Sequence, residues 1–159
     1  MFLEEKIDYL KRQFSPTDFR VPFTDATRIL KMIESKFIKV KDVQEDLNKL
    51  SQRFVHWSSN IKNKAEVISL PSADCSNWLD KLDPHANYWM VITTDESAST
   101  KHWVYDCKPN ALAALASTTQ TSFFVIDKKY RWFSFFALDK LSHTFTIYKS
   151  GSGTTPFEG

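Results

Sequence analysis

Ser122-Phe-Phe-Val-Ile-Asp-Lys-Lys-Tyr-Arg-Trp-Phe-Ser-Phe-Phe136 decides how the rest of this chain reads. Two apolar runs, Ser122–Ile126 and Tyr130–Phe136, flank the charged triplet Asp127-Lys128-Lys129. Such runs on either side of a short polar break predict two strands joined by a tight turn. Within the second run Tyr130, Trp132, Ser134 and Phe136 alternate with Arg131, Phe133 and Phe135. Strand side chains alternate between faces, so at least one of these two sets is core.

The same period of two extends outward. Tyr88–Thr93 and His102–Tyr105 read as strands linked by the polar run Thr94–Lys101, and Thr144–Tyr148 as a last strand, paired across Lys140–His143. Pro109-Asn110 opens a short helix rich in Ala and Leu. Upstream the spacing is helical. Leu3, Ile7, Leu10 and Phe14 share one face until Ser15-Pro16; Ala26, Ile29, Leu30, Ile33 and Phe37 form a second stripe, which Thr24 or Asp25 caps. A third stripe, Val43, Leu47, Leu50, Phe54 and Trp57, follows a cap at Asp42. Between the two regimes lie a strand at Ala65–Leu70 and a short helix within Pro71–Leu82, carrying Cys75, Trp78, Leu79 and Leu82. The expected class is α+β: N-terminal helices packed on a largely antiparallel sheet of four to six strands, with one short inserted helix. Residues 1–150 read as one domain and 151–159 as a flexible tail holding all three glycines.

Length and composition fit one globular domain of 159 residues. The outlier is aromatic content, with 13 Phe and 5 Trp. A net charge of +2 is too small to point to a polyanionic partner. Glu4, Glu5, Lys6 and Asp8 are foreign to a signal peptide's apolar region, no run is long enough to span a membrane, and only two cysteines occur. The expected compartment is the reducing cytoplasm.

Glycine is absent from residues 1–150, which excludes a P-loop and a dinucleotide fingerprint. Cys75, His85, His102 and Cys107 follow no metal-ligand spacing, so neither metal nor cofactor is expected. Cys75 near a helix start, with His85 or His102 as base, is a candidate nucleophile set against a plain core cysteine. Asp106 and Asp127 each end a strand. With His102 they are the weak catalytic candidates for a small hydrolytic enzyme, although turn chemistry explains acids at such positions. Lys128, Lys129 and Arg131 beside Tyr130 and Trp132 suggest single-strand nucleic-acid stacking, but the footprint is weak and no recognition signature accompanies it.

The segment from Trp89-Met-Val-Ile through Val104-Tyr-Asp to Phe124-Val-Ile-Asp-Lys-Lys-Tyr-Arg-Trp132 resembles a small bacterial family of uncharacterised α+β proteins. Its members carry a hairpin of the form Phe-Tyr-Ile-Val-x-Lys-Lys-Tyr-x-Trp, and many continue into an Asn-His-His-Asp-like stretch. Here Ala137-Leu-Asp-Lys-Leu-Ser-His143 stands in that place, with only Asp139 and His143 to match it. The resemblance implies the fold and, by analogy with immunity-type proteins, a partner that is bound and blocked.

Two functions follow as expectations. The first is a non-catalytic protein-binding domain of immunity or inhibitor type, touching its partner through Trp103, Tyr105, Asp139 and His143 on an open sheet face or edge and the adjoining loops. The second is a hydrolase using His102, Asp106 or Asp127. Membrane and nucleic-acid partners are not expected, and whether the chain is an enzyme is left open, with binding favoured.

Overall fold

The computed structural model describes residues 3–22, 25–39, 57–92, 104–119 and 121–151. Its centre is one seven-stranded sheet: β1 (Phe19–Arg20), β2 (Ala65–Pro71), β3 (Tyr88–Ile92), β4 (Val104–Cys107), β5 (Phe123–Asp127), β6 (Phe133–Asp139) and β7 (Thr144–Ser150). They lie in the order β1-β4-β3-β5-β6-β7-β2, and every neighbouring pair is antiparallel. Among the described residues the helices that pack on the sheet are α1 (Leu3–Lys11), α2 (Ala26–Phe37), α3 (Cys75–Leu79) and α4 (Pro109–Thr119). The fold is mixed α+β, with more strands than the period-two pattern alone indicates. The extra strand β1 has only two residues, too short for periodicity to show.

The helices do not stack on one side. Ile29, Leu30, Ile33 and Phe37 of α2 join Trp57 against Val91, Phe124, Ile126 and Phe133. On the opposite face Ala111, Leu112 and Leu115 of α4, Leu79 of α3 and Ile7 of α1 close over Met90, Phe123, Val125, Phe136 and Ile147. All five residues of β3 and of β5 are therefore buried. Strands covered on both faces read as continuous apolar runs, which is what Phe-Phe-Val-Ile is. Two cores also take up most of the aromatic side chains among the described residues. Phe123 stacks on Phe136 at 4.6 Å and Phe124 on Phe135 at 4.7 Å, one pair on each face. The open sheet face expected as a contact surface is thus absent from the central strands.

Local chemistry explains most element ends. Asp25 caps α2, its Oδ1 accepting from the Thr27 backbone N–H at 3.0 Å, and the buried stripe of α2 is Ala26, Ile29, Leu30, Ile33 and Phe37. Thr24 and most of the third expected helix lie outside the described residues; Trp57–Ser59 is helical. The central hairpin turn is longer than expected. Tyr130 N–H donates to the Asp127 carbonyl at 2.8 Å, and Tyr130 sits at φ 55°. Its left-handed backbone ends the strand pattern, so β6 begins at Phe133 and not at Tyr130.

Gly151, directly after β7, lies close against the segment Arg131–Trp132. It has φ +120°, and a Cβ there would meet the Arg131 carbonyl oxygen at 2.6 Å and the Trp132 Cα at 3.0 Å. Both obstacles are backbone, and the conformation is one that side-chain-bearing residues avoid. Gly151→Ala should therefore cost about 1–3 kcal/mol in urea unfolding. A midpoint equal to that of the parent protein would show that this approach is not made in solution.

Candidate functional site

The two strand-end carboxylates stand apart. Asp106 pairs in register with Trp89, whose side chain belongs to the α2 face. Asp127 pairs with Tyr88, which belongs to the α4 face. Alternation along the strands thus turns the two acids to opposite sides of the sheet. Among the described residues the two acids thus share no cleft, and a joint acid–base role for Asp106 and Asp127 has no geometric basis there.

Each carboxylate is instead held by cations. Asp106, 2% exposed, has Arg20 Nε at 3.0 Å and Lys128 Nζ at 2.6 Å on Oδ2, while Asn87 Nδ2 donates to Oδ1 at 2.8 Å. The same Asn87 amide donates to the Thr17 carbonyl at 2.9 Å, and Lys128 Nζ lies 4.5 Å from the centre of the Trp89 ring. One acid therefore ties together β1, β4, the residue before β3 and the β5–β6 turn. Asp127 accepts from Arg131 Nε at 2.5 Å and from the Lys129 backbone N–H at 3.4 Å. Burial pushes its carboxyl up, but the Arg131 guanidinium and the turn N–H groups outweigh this and hold it below the ordinary aspartate value.

That shift has a sign. A carboxylate whose folded pKa is depressed adds stability above its unfolded value, near about 3.9, and loses it as pH falls through the folded value. Asp18 and Asp139 are lowered as well, by Lys108 and by backbone donors respectively. Stability should hold from neutral pH down to about 5 and fall below about 4. Asp127→Asn should flatten part of that fall in acid-titrated urea melts; an unchanged acid limb would remove Asp127 from the account.

The cysteines are poor nucleophiles. Both are free and buried. Burial pushes the Cys75 thiol up to about 12, so the desolvation cost exceeds any help from the five-residue helix it opens. Cys107 is raised as well, by burial first and by the neighbouring Asp106 second. Among the described residues no group of three His, Cys, Asp or Glu is placed to hold a metal ion.

A concave feature lies at the far end of β6 and β7, where they leave the α4 face. A cleft of about 690 Å³ is lined by Ser72, Cys75 and Ser76 on one wall and by Ala116 and Ser117 of α4 on another. The third wall is the β6–β7 hairpin, with Leu138 and Phe145 below and Lys140 and His143 at the rim. The turn beside it is tightly built. Asp139 Oδ1 accepts from the Leu141 N–H at 2.9 Å and from the Ser142 N–H at 3.4 Å. Ser142 and Thr144 share a hydroxyl hydrogen bond of 2.7 Å, and His143 takes φ 53°. The His143 carbonyl accepts from the Ser72 N–H at 2.8 Å, which fixes the turn to the opposite wall. Leu141, at the tip, is 97% exposed.

Of the residues read from sequence as contacts, Asp139 and His143 thus meet in one turn, with Asp139 as its organiser. Tyr105 is 2% exposed and packs edge-on against Phe19 at 5.7 Å, so it is core and no part of a free surface. Trp103 and the candidate base His102 lie outside the described residues, as does the loop Thr94–Lys101. Sequence reading missed Arg20 and Asn87, whose link to Asp106 needs the β1–β4 pairing, and Ser72, Ser76 and Ser117, which come from elements distant in sequence. Lys140, adjacent to Asp139, was open to view as a charge in a hairpin turn.

No curated protein and no solved structure matches the chain. A family profile does match, over residues 5–150, and it takes in both carboxylate locks, the cleft and the Asp139–His143 turn. The chain belongs to that family, a family of unknown function (DUF6756).

Proposed function

We propose that this domain is a non-catalytic binding protein that engages another protein through the β6–β7 turn. The observation that carries the reading is Leu141, a fully presented apolar side chain on a turn whose backbone is pinned at Asp139, Thr144 and Ser72. A pre-ordered turn loses little conformational freedom on binding, so an apolar tip flanked by Lys140 and His143 can serve as an anchor. The ion-paired acids and protonated thiols support the same reading from the other side, since neither offers a free base or nucleophile. An inhibitor or immunity role in a bacterial cytoplasm is the form of binding that the hairpin resemblance favours, and two free cysteines suit a reducing compartment.

The test is affinity capture with the intact chain, followed by calorimetric titration of the recovered partner against variants. Leu141→Ala should weaken binding about tenfold or more, and Lys31→Ala on the exposed side of α2 should leave it unchanged. A partner indifferent to Leu141, Lys140 and His143 would overturn the reading. So would a turnover that one folded variant at Asp106 or Asp127 abolishes.

A further inference from the structure

We propose that the cleft between α3, α4 and the β6–β7 hairpin is a binding site for a small organic anion, with an apolar body and a carboxylate head. The inference goes beyond protein binding and does not depend on it. The cleft's volume, about 690 Å³, lies in the range of sites that enclose small molecules. Its walls come from the segment Ser72–Ser76 leading into α3, from α4 and from the β6–β7 hairpin, and the Ser72 N–H to His143 carbonyl bond joins the first to the last, so the space is shaped before any ligand arrives.

The lining sorts by chemistry. The apolar part of the floor is presented mainly by Leu138, over Cys75 and Phe145, each 3% exposed, and Ala116, within a cleft whose exposed surface is more polar than apolar. The high pKa of Cys75 keeps that floor uncharged. The rim is polar. Lys140 forms no ion pair among the described residues, whereas Arg20, Lys108, Lys128 and Arg131 all do. The hydroxyls of Ser72, Ser76 and Ser117 likewise have no protein hydrogen-bond partner among the described residues. No carboxylate is among the described lining residues. Two acids adjoin lining residues along the chain: Asp74, exposed between Ala73 and Cys75, and Asp139, whose Oδ1 is committed to the turn's own N–H groups. A cation with no ion pair among the described residues, three hydroxyl donors and the His143 imidazole complement an acid head, and the Leu138 patch between them complements a small apolar body.

Benzoate is the probe, benzamide its uncharged isostere and inorganic phosphate the anion without an apolar body. With the ¹⁵N-labelled full chain, benzoate should give saturable amide shifts at Ser72, Ser76, Ser117 and His143, and benzamide and phosphate should bind at least about tenfold more weakly. Lys140→Gln should cost about tenfold in benzoate affinity while circular dichroism is unchanged, and Lys140→Arg should retain most of it. Equal binding of benzoate and benzamide, shifts centred elsewhere, absence of saturable shifts, or indifference to Lys140→Gln would each overturn the proposal. None of these readouts involves Leu141 or a protein partner, so this inference and the protein-binding reading fail separately.

Discussion

Trp132→Ala should destabilise the domain by about 3–5 kcal/mol, the cost of deleting a large buried aromatic without refilling its space. Trp132 is 5% exposed and lies 5.7 Å from the Tyr88 ring, centre to centre, on the face that α4 covers. Its Cα would also lie 3.0 Å from a Cβ placed on Gly151, where the chain returns after β7. The loss therefore opens the core where the β5–β6 turn and the end of β7 meet. Marginal domain stability makes a loss of that size enough to unfold much of the population at 37 °C. Equilibrium urea unfolding followed by far-UV circular dichroism measures it. A loss below about 1 kcal/mol would mean that Trp132 is at the surface in solution and would return it to the set of binding anchors.

Asp106→Ala should cost about 2–4 kcal/mol. Removing one member of a buried pair leaves the other charges uncompensated, at about 3–5 kcal/mol when burial is complete. Here Arg20 and Lys128 retain 29% and 31% side-chain exposure, so water recovers part of the loss. Asp106→Asn keeps the shape and the Asn87 contact but loses the charge, and should fall between alanine and the parent. Urea melts of both variants, alone and combined with Lys128→Met, measure the coupling. A structural lock predicts a non-additive double mutant. Additive effects together with parental stability in Asp106→Asn would show that the carboxylate is not held in this way.

The sequence carried the fold further than the site, for a physical reason. Hydrophobic spacing is local, so the α2 stripe and the apolar run Phe123–Ile126 announced their elements directly. Which face each helix covers is not local, and nothing in the spacing of Ile7 or Ile29 separates the two sides of the sheet. Strand β1 is two residues long and exists through its pairing with β4, so its Arg20 was invisible as the partner of Asp106. Tyr130 looked like the first residue of a strand because its chemistry is that of one. Its positive φ belongs to the turn and leaves no mark on the alternation. The turn Lys140–His143 was legible because a hairpin turn is local, and the cleft beside it was not, because Ser72 and Ser117 arrive from other elements.

Binding through the β6–β7 turn is tested most directly by amide hydrogen exchange of the full chain, alone and with its captured partner. The account predicts new protection at residues 139–144, extending to 72–76, with little change at Arg20, Asn87, Asp106 and Lys128. Protection centred on that ion-paired end of the sheet, with the turn exchanging as fast as in the free chain, would contradict it.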